Sequence, residues 1–338
     1  MPVEYRLLRG AEVDSAADLW VVYGPGIESA QHQAWRREFR SIPHLLTHTR
    51  VAVGVDGALL SIIHYWPLQV HDASGAPRRV GRVSHVFTRE DARRQGHATR
   101  LLELTLAAMR DDGRQWSILS ASEEGRPLYE RYGWRPLPYR RVRCVGVVSE
   151  CVAPSAGRYS VRPYDPRREP DGWGAIERIH RAYNAGRPFT VVRDDAYWRN
   201  VAARVDWWMS PSSSSSRTDM LVAVRDDDAP RAYALALFFE ERGFLLAELG
   251  TLPGEEDALR ALLAFVVAQP GGRAAGGRLY LPREPALEAA LAELCSEVTD
   301  GENDECMARI IAPDVDQEVM LAALPTAPGN VMWLLDDM

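Results

Sequence analysis

The strongest constraint on the fold is a change of hydrophobic period around residue 95. Val83-Ser84-His85-Val86-Phe87-Thr88 is a β-branched and aromatic run, bounded by Gly81 and by the charged Arg89-Glu90-Asp91, and it predicts a strand. Beyond Arg93-Arg94-Gln95-Gly96-His97-Ala98, apolar residues recur at helical spacing (Ala98, Leu101, Leu102, Ala108, Met109) until Asp112-Gly113 stops the helix. Thr105 is the one polar interruption of that face. A strand, a basic turn containing glycine and a helix N-terminus together make an anion site. Unpaired backbone N–H groups and the positive end of the helix dipole point into the turn. Gly96 lets the backbone approach a ligand, Ala98 keeps the first helical turn thin, and Arg93 and Arg94 present forked charge to phosphate oxygens. The chemistry suits a pyrophosphate.

This hexamer resembles the Arg/Gln-x-x-Gly-x-Gly/Ala signature of the GCN5-related N-acetyltransferases (GNAT), which hold the pyrophosphate of acetyl-CoA in such a turn. The next segment strengthens the resemblance. Trp116-Ser117-Ile118-Leu119-Ser120-Ala121 reads as a strand, and Pro127-Leu128-Tyr129-Glu130-Arg131-Tyr132-Gly133-Trp134-Arg135-Pro136 is similar to the family's second signature. That signature is a short helix carrying Leu-Tyr-Glu and ending in glycine plus an aromatic. Both occur in the family's order, one helix and one strand apart.

Composition places the chain among ordinary soluble enzymes. Its 338 residues suggest two domains, and 46% hydrophobic residues can fill sizeable cores. No run is long enough to span a bilayer, and no leader resembles a signal peptide. Cys144, Cys151, Cys295 and Cys306 lack metal or disulfide spacing, so cytoplasmic residence and no metal are expected. A net charge of −7 argues against nucleic acid and leaves room for a cationic substrate. All 40 Lys-or-Arg positions are arginine, which we attribute to the codon bias of a GC-rich genome.

In the first half, residues 4–8 read as a strand, 11–20 and 29–40 as helices, and 50–55 and 58–65 as a hairpin about Asp56-Gly57. Residues 71–79 read as a polar loop. The resemblance turns this order into an acetyltransferase fold whose cofactor enters where central strands splay apart. After a linker at 151–158 the outline repeats from Tyr159. The reading is therefore an α/β (α+β) chain of tandem GNAT-like domains, each a mixed, mostly antiparallel sheet flanked by helices. A catalytic domain occupies 1–150 and a degenerate second domain 159–338. At the cradle position the second half has Gly250-Thr251-Leu252-Pro253-Gly254-Glu255-Glu256-Asp257, whose carboxylates suit a helix dipole but repel phosphate. Ser212–Ser216 reads as a loop tip.

Two narrower likenesses follow. Arg193-Asp194-Asp195-Ala196-Tyr197-Trp198 and Ala121-Ser122-Glu123-Glu124-Gly125 resemble segments of the enhanced-intracellular-survival acetyltransferases. Those enzymes acetylate amines of aminoglycosides and polyamines and carry a sterol-carrier-like third domain, for which this chain is expected to be too short. Val86-Phe87-Thr88 and Tyr132-Gly133-Trp134 resemble yeast-type lysine N6-acetyltransferases. Mycothiol synthase also has tandem domains, but its work falls mainly to the half whose cradle is lost here.

An attacking amine must lose a proton, the oxyanion formed on the thioester must be held, and the departing thiolate must be protonated. The resemblance implies that a backbone N–H in Val86-Phe87-Thr88 polarises the thioester. It also implies that Arg93, Arg94, Gln95, Gly96, His97, Ala98 and Thr99 bind the cofactor and that Tyr129 is the general acid. Tyr132 reads as structural. For the base, His85, Glu123, Glu124, His44, His64 and Glu38 stand open, as does the carboxylate of Met338 by analogy with the survival enzymes. The function expected is acetyl-CoA-dependent acetylation of a primary amine on a small molecule such as an amino acid, polyamine or aminoglycoside. The alternatives are an acyl-CoA-binding pseudoenzyme or sensor, or a protein lysine acetyltransferase. No nucleic-acid or membrane partner is expected, and homo-oligomerisation is left open.

Overall fold

The computed structural model describes residues 3–20, 29–147, 158–209, 216–239, 243–269, 276–313 and 315–337. The expected positions 151–157, most of Ser212–Ser216 and Met338 lie outside them.

The strands form two seven-stranded sheets, mostly antiparallel, whose central strands are buried on both faces. The first has the order β1 (Glu4–Leu7), β2 (Thr49–Val53), β3 (Leu59–His71), β4 (Pro77–Thr88), β5 (Trp116–Ser120), β14 (Cys306–Ile310) and β6 (Arg135–Pro136). The second runs β13 (Cys295–Asn303), β7 (Tyr139–Val147), β12 (Gly277–Leu279), β11 (Gly243–Thr251), β10 (Pro230–Phe239), β9 (Ser216–Val224) and β8 (Ser160–Pro163). Each sheet contains one parallel pair, β4 with β5 and β11 with β12.

The halves exchange strands. β7 precedes residue 150 yet pairs with β12 and β13, burying Val142 and Cys144 in the second core. β14 comes from the far end of the chain and inserts between β5 and β6, burying Cys306, Met307 and Ala308. Sheet membership thus does not divide the chain at the linker. Each half completes the other's sheet, and one apolar cluster runs through both.

The β3–β4 hairpin is longer than the sequence reading allowed. Residues 66–70 and 80–82, outside the expected strands, and residues 71 and 77–79 of the expected loop continue the ladder, because Trp66, Leu68 and Val70 alternate inward despite Pro67. A segment of the second half caps the free edge of β3: His71 N–H donates to Thr190 O at 3.0 Å and Val192 N–H to Gln69 O at 2.9 Å.

Helices cover both faces of the first sheet. On one face lie α1 (Val13–Trp20) and α2 (Ser29–Ser41), with Ala16, Ala17 and Phe39 buried. The short α3 (Leu45–His48) leads into β2. On the other face α4 (His97–Asp111) buries Leu101, Leu102, Leu106 and Met109, and α5 (Arg126–Arg131) buries Tyr129. Thr105, the polar interruption, is satisfied by donating to Leu101 O at 2.8 Å. In the second half come α6 (Gly174–Tyr183), α7 (Asp195–Trp208), α8 (Asp257–Ala268), α9 (Pro285–Leu294), α10 (Gln317–Thr326) and α11 (Leu334–Asp337). α7 packs against α2 and joins the two halves. No described helix is long and apolar enough to cross a membrane.

Candidate active site

β4 is the backbone of the site. It pairs with β5 only over Val80–Arg82, opposite Trp116–Ile118, and the strands then part. β5 keeps β14 on its other edge throughout, so beyond Arg82 β4 has lost its neighbour on this side. Within that stretch the ladder to β3 slips: Ser84 faces His64 and Phe87 faces Ile62, leaving His85 and Val86 opposite the single Ile63. This is a β-bulge, and His85 adopts φ 52° to make it. The bulge breaks the regular register to β3 just beyond the point where β4 and β5 part.

The basic turn closes the same gap. A 3-10 turn, Glu90–Ala92, leads to Arg94 at φ 61° and Gly96 at φ 83°, and α4 starts at His97. The first-turn N–H groups of His97, Ala98 and Thr99 have no intrahelical acceptors. A Cβ built on Gly96 meets nothing within 4 Å, so glycine is required by the backbone turn while the space above it is open. Open space, exposed Arg93 and Arg94 and a helix N-terminus fit a pyrophosphate.

Several side chains at the predicted positions face elsewhere. His97 is buried, its Nδ1 bonded to Tyr5 Oη at 2.8 Å. Thr88 Oγ1 bonds Ser61 Oγ at 2.8 Å, and Gln95 Nε2 donates to Asp91 O at 3.0 Å. Arg93 Nε donates to Thr88 O at 3.3 Å, tying the turn to the strand end. Val86 and Phe87 pack on opposite cores. The backbone, not the side chains, lines most of the cradle.

Tyr129 sits on α5 beside β5, edge-on to Trp134 at 6.0 Å. Burial pushes its phenol up to about 12, so it carries its proton throughout the working range. Tyr132 donates to Glu103 at 2.7 Å, a structural bond.

The base candidates scatter. His85 is buried under Trp35 and Phe39, with Nδ1 2.8 Å from Ser84 Oγ. Ser84 Oγ in turn accepts from Trp66 Nε1 at 2.8 Å. Burial, then the charges of Arg204 and Arg82, holds the imidazole near 3, far too low to take a proton from an ammonium group. His64 is also buried and held well below its ordinary value, chiefly by burial. Glu38 lies in the interface between halves, where Oε1 accepts from Asn200 at 3.2 Å and Arg204 at 3.4 Å. Its Oε2 is buried with no partner among the described residues. Glu123 and Glu124 are exposed, and His44 lines a cleft described next.

That cleft, about 450 Å³, opens on the edge of β3 between the start of β2 and residues 189–192. His44, His48, Trp66, Asp112, Asp194 and Tyr197 are among its walls. Trp66 therefore borders both the cleft and the Ser84–His85 pair. Behind Tyr197 is a buried charge centre that sequence reasoning missed: Arg193 bonds both Glu248 and Asp336. The ligand atoms of His180, Glu248 and Asp336 come within 4.8 Å of one another, and the cation those carboxylates face is the Arg193 guanidinium. No local pattern could signal this centre, since Asp336 lies 143 residues from Arg193.

At the second half's counterpart of the cradle, a carboxylate with its own partners stands where the first half has exposed arginines. Glu255 bonds the Tyr159 hydroxyl and Arg225 ahead of α8.

Residues 4–137 match the family model described as Acetyltransferase (GNAT) domain. Two curated relatives of Streptomyces griseus, named uncharacterized N-acetyltransferases, are each 32% identical over 130 residues, covering 37% of this chain and 30% of the relative. The match thus spans less than a third of those relatives. Among solved structures, a GCN5-related N-acetyltransferase from Kribbella flavida aligns over 91% of this chain and 71% of its own with a TM-score of 0.64 at 15% identity. Eis1 from Mycobacterium abscessus aligns over 91% and 74% with a TM-score of 0.59 at 18% identity. These structural likenesses establish the fold. Residues 4–137 thus match the acetyltransferase (GNAT) domain model, and in this structure that segment belongs to a chain of two mixed sheets that share strands.

Proposed function

We propose that the chain is an acetyl-CoA-dependent N-acetyltransferase acting on a primary amine of a small molecule. One observation carries this reading: β4 and β5 part after Arg82, the bulge at His85 and Val86 follows, and the Gly96 turn with its helix N-terminus closes the same gap. Arg93, Arg94 and the amides of Gln95 to Thr99 would hold the pyrophosphate. The main chain of Val86, Phe87 and Thr88 would run beside the pantetheine and the thioester. Acetyl-CoA supplies the activated acyl group, and Tyr129, protonated at neutral pH, gives its proton to the departing thiolate.

The cleft beside Trp66 is the proposed path for the amine. Trp66 and Tyr197 line it with aromatic rings that suit a cation, while its carboxylates are partly engaged, Asp112 with Arg114 and Arg79 and Asp194 as the cap of α7. The second half supplies Asp194 and Tyr197, so it shapes the acceptor site.

Two measurements test the reading. Arg93→Glu combined with Arg94→Glu should weaken acetyl-CoA binding at least tenfold by calorimetry, and unchanged affinity removes the cradle assignment. A thiol-release assay over a panel of amines should detect CoA. A sensor that binds without turning over is favoured by His85 and His64 being held neutral and by Glu38 being engaged with Arg204. Tight acetyl-CoA binding with no CoA release across the panel would establish that alternative.

A further inference from the structure

Between α6 and α7 the chain runs irregularly, and its main-chain groups must find partners outside any helix or ladder of their own. They find them on two sides. On one side is β3 of the first half: Phe189 N–H donates to His71 O at 2.9 Å, and Thr190 Oγ1 lies 2.9 Å from His71 Nδ1. On the other side is the segment 329–336. Val331 N–H donates to Pro188 O at 3.2 Å, and Arg187 Nη1 donates to Gly329 O at 3.0 Å. The buried Trp333 gives its indole N–H to Asn184 Oδ1 at 2.9 Å. Asp336 Oδ1 accepts from Arg193 Nε and from the Tyr197 hydroxyl. The segment thus grips the connection from Asn184 to Tyr197.

The connection is strained at its centre. Phe189 is fully buried and holds φ 67°, a left-handed conformation that a bulky aromatic residue rarely adopts. Such a residue persists only where its surroundings over-determine it. Here its own N–H is fixed on β3, and the carbonyl before it is fixed by Val331. The same stretch supplies Val192, Asp194 and Tyr197 to the cleft. The Tyr197 ring meets Trp66 at 5.5 Å and 59°, so the aromatic wall takes one ring from each half. We propose that Trp333 and Asp336 are specificity-determining positioning residues, which clasp residues 184–197 onto β3 and so fix the wall that Trp66 and Tyr197 present to the amine. This rests on the reading of the cleft as the path of the amine. A closed clasp selects a compact primary amine, one that lies across both rings within about 450 Å³. A loosened clasp holds that amine less well and admits bulkier ones.

Two measurements on the full-length chain test the clasp. In hydrogen exchange, Asp336→Ala and Trp333→Phe should each speed exchange of the Phe189 and Val192 amides by about fivefold or more, with the amides of α4 and β10 unchanged. In thiol release with tyramine, spermidine and kanamycin as acceptors, both variants should raise KM for the smallest amine accepted by about tenfold while kcat and acetyl-CoA affinity stay within about twofold. Their preference should move toward kanamycin, the bulkiest of the three. Asp336→Asn keeps an oxygen for Tyr197 and Arg193, and should restore most of the wild-type KM. Unchanged exchange at Phe189 and Val192 overturns the clasp. Equal acceleration in β10 overturns it as well, since the variants would then only lower global stability. Faster exchange with unchanged KM and unchanged amine preference removes the specificity role and leaves the acetyl-CoA reading intact. Acetyl-CoA binding by the wild type without CoA release from any amine overturns the acceptor reading and the clasp's role together. Should Asp336→Ala not fold, Trp333→Phe against Asp336→Asn makes the same comparison, and wild-type exchange in Trp333→Phe rejects the clasp.

Discussion

Arg193 Nε donates to Asp336 Oδ1 at 2.9 Å, and neither side chain reaches solvent. The Tyr197 hydroxyl donates to the same oxygen at 3.0 Å. Burial opposes the guanidinium's charge, but Asp336 and Glu248 outweigh it and hold Arg193 protonated. The bond anchors α11 against the second sheet, next to the tyrosine that walls the cleft. Stranding a buried charge costs about 3–5 kcal/mol, but Arg193 keeps Glu248 when Asp336 is removed, so the loss should be smaller, about 1–3 kcal/mol. Asp336→Ala should therefore lower unfolding stability by that amount in urea titration, while the exposed ion pair of Arg260 with Glu293 should cost well under 1 kcal/mol when broken. Equal effects of the two variants would show that α11 is not held by this bond.

What could be read in the sequence follows from range. The turn from Arg93 to Ala98, the helix behind it and the short helix of Tyr129 are local patterns, and each forms where spacing places it. The bulge is invisible in the sequence because His85 has ordinary strand neighbours, and only the slip against Ile63 reveals it. The strand exchange was hidden for a related reason. β7 and β14 have ordinary strand composition, and the partner of each lies more than a hundred residues away. Glu38 was noticed as a candidate base, but its partners Asn200 and Arg204 come from the other half, so its place in the interface could not be foreseen.

Tyr129→Phe isolates the proposed proton donor. Its ring packs against Trp134, and phenylalanine keeps that contact, so folding should be preserved. General acid catalysis contributes roughly 10²–10⁴-fold. The variant should lower kcat at least about 100-fold while leaving KM for acetyl-CoA within a few-fold. A loss confined to KM would reduce Tyr129 to a binding contact.

The pH dependence of stability follows from the buried imidazoles. His85 is held near 3 in the folded chain against an ordinary 6.5, first by burial and then by Arg204 and Arg82. His64 and His180 shift the same way, with burial again the first cause. Between about 6.5 and 3 the unfolded chain binds a proton at His85 that the folded chain does not. That contribution is complete above 6.5 and is lost as pH falls, with a slope of at most about 1.4 kcal/mol per pH unit for each histidine. Urea midpoints measured from pH 7.5 to 4.5 should decline, and His85→Gln should make the decline shallower. An identical decline in the variant would mean that His85 is protonated in the fold.

Gly96 and Gly277 separate binding from folding. Gly96 has open space around it and φ 83°, so Gly96→Ala brings only backbone strain, about 1–2 kcal/mol, concentrated at the turn that aims the first amides of α4. Gly277 has no such φ, but a Cβ there would lie 2.3 Å from Cζ of the buried Phe244 ring. Gly277 also pairs with Cys144 on β7, the strand the first half lends to the second sheet. Gly277→Ala must push the ring or the strand aside, an overpacking cost of about 1–3 kcal/mol or more. Thermal unfolding and acetyl-CoA calorimetry should then give opposite orders. Gly277→Ala should show the larger drop in Tm with near-normal affinity, whereas Gly96→Ala should show the larger loss of affinity. If Gly277→Ala weakened acetyl-CoA binding as much as Gly96→Ala, the exchanged strand would have to reach the cofactor gap and not merely join the two sheets.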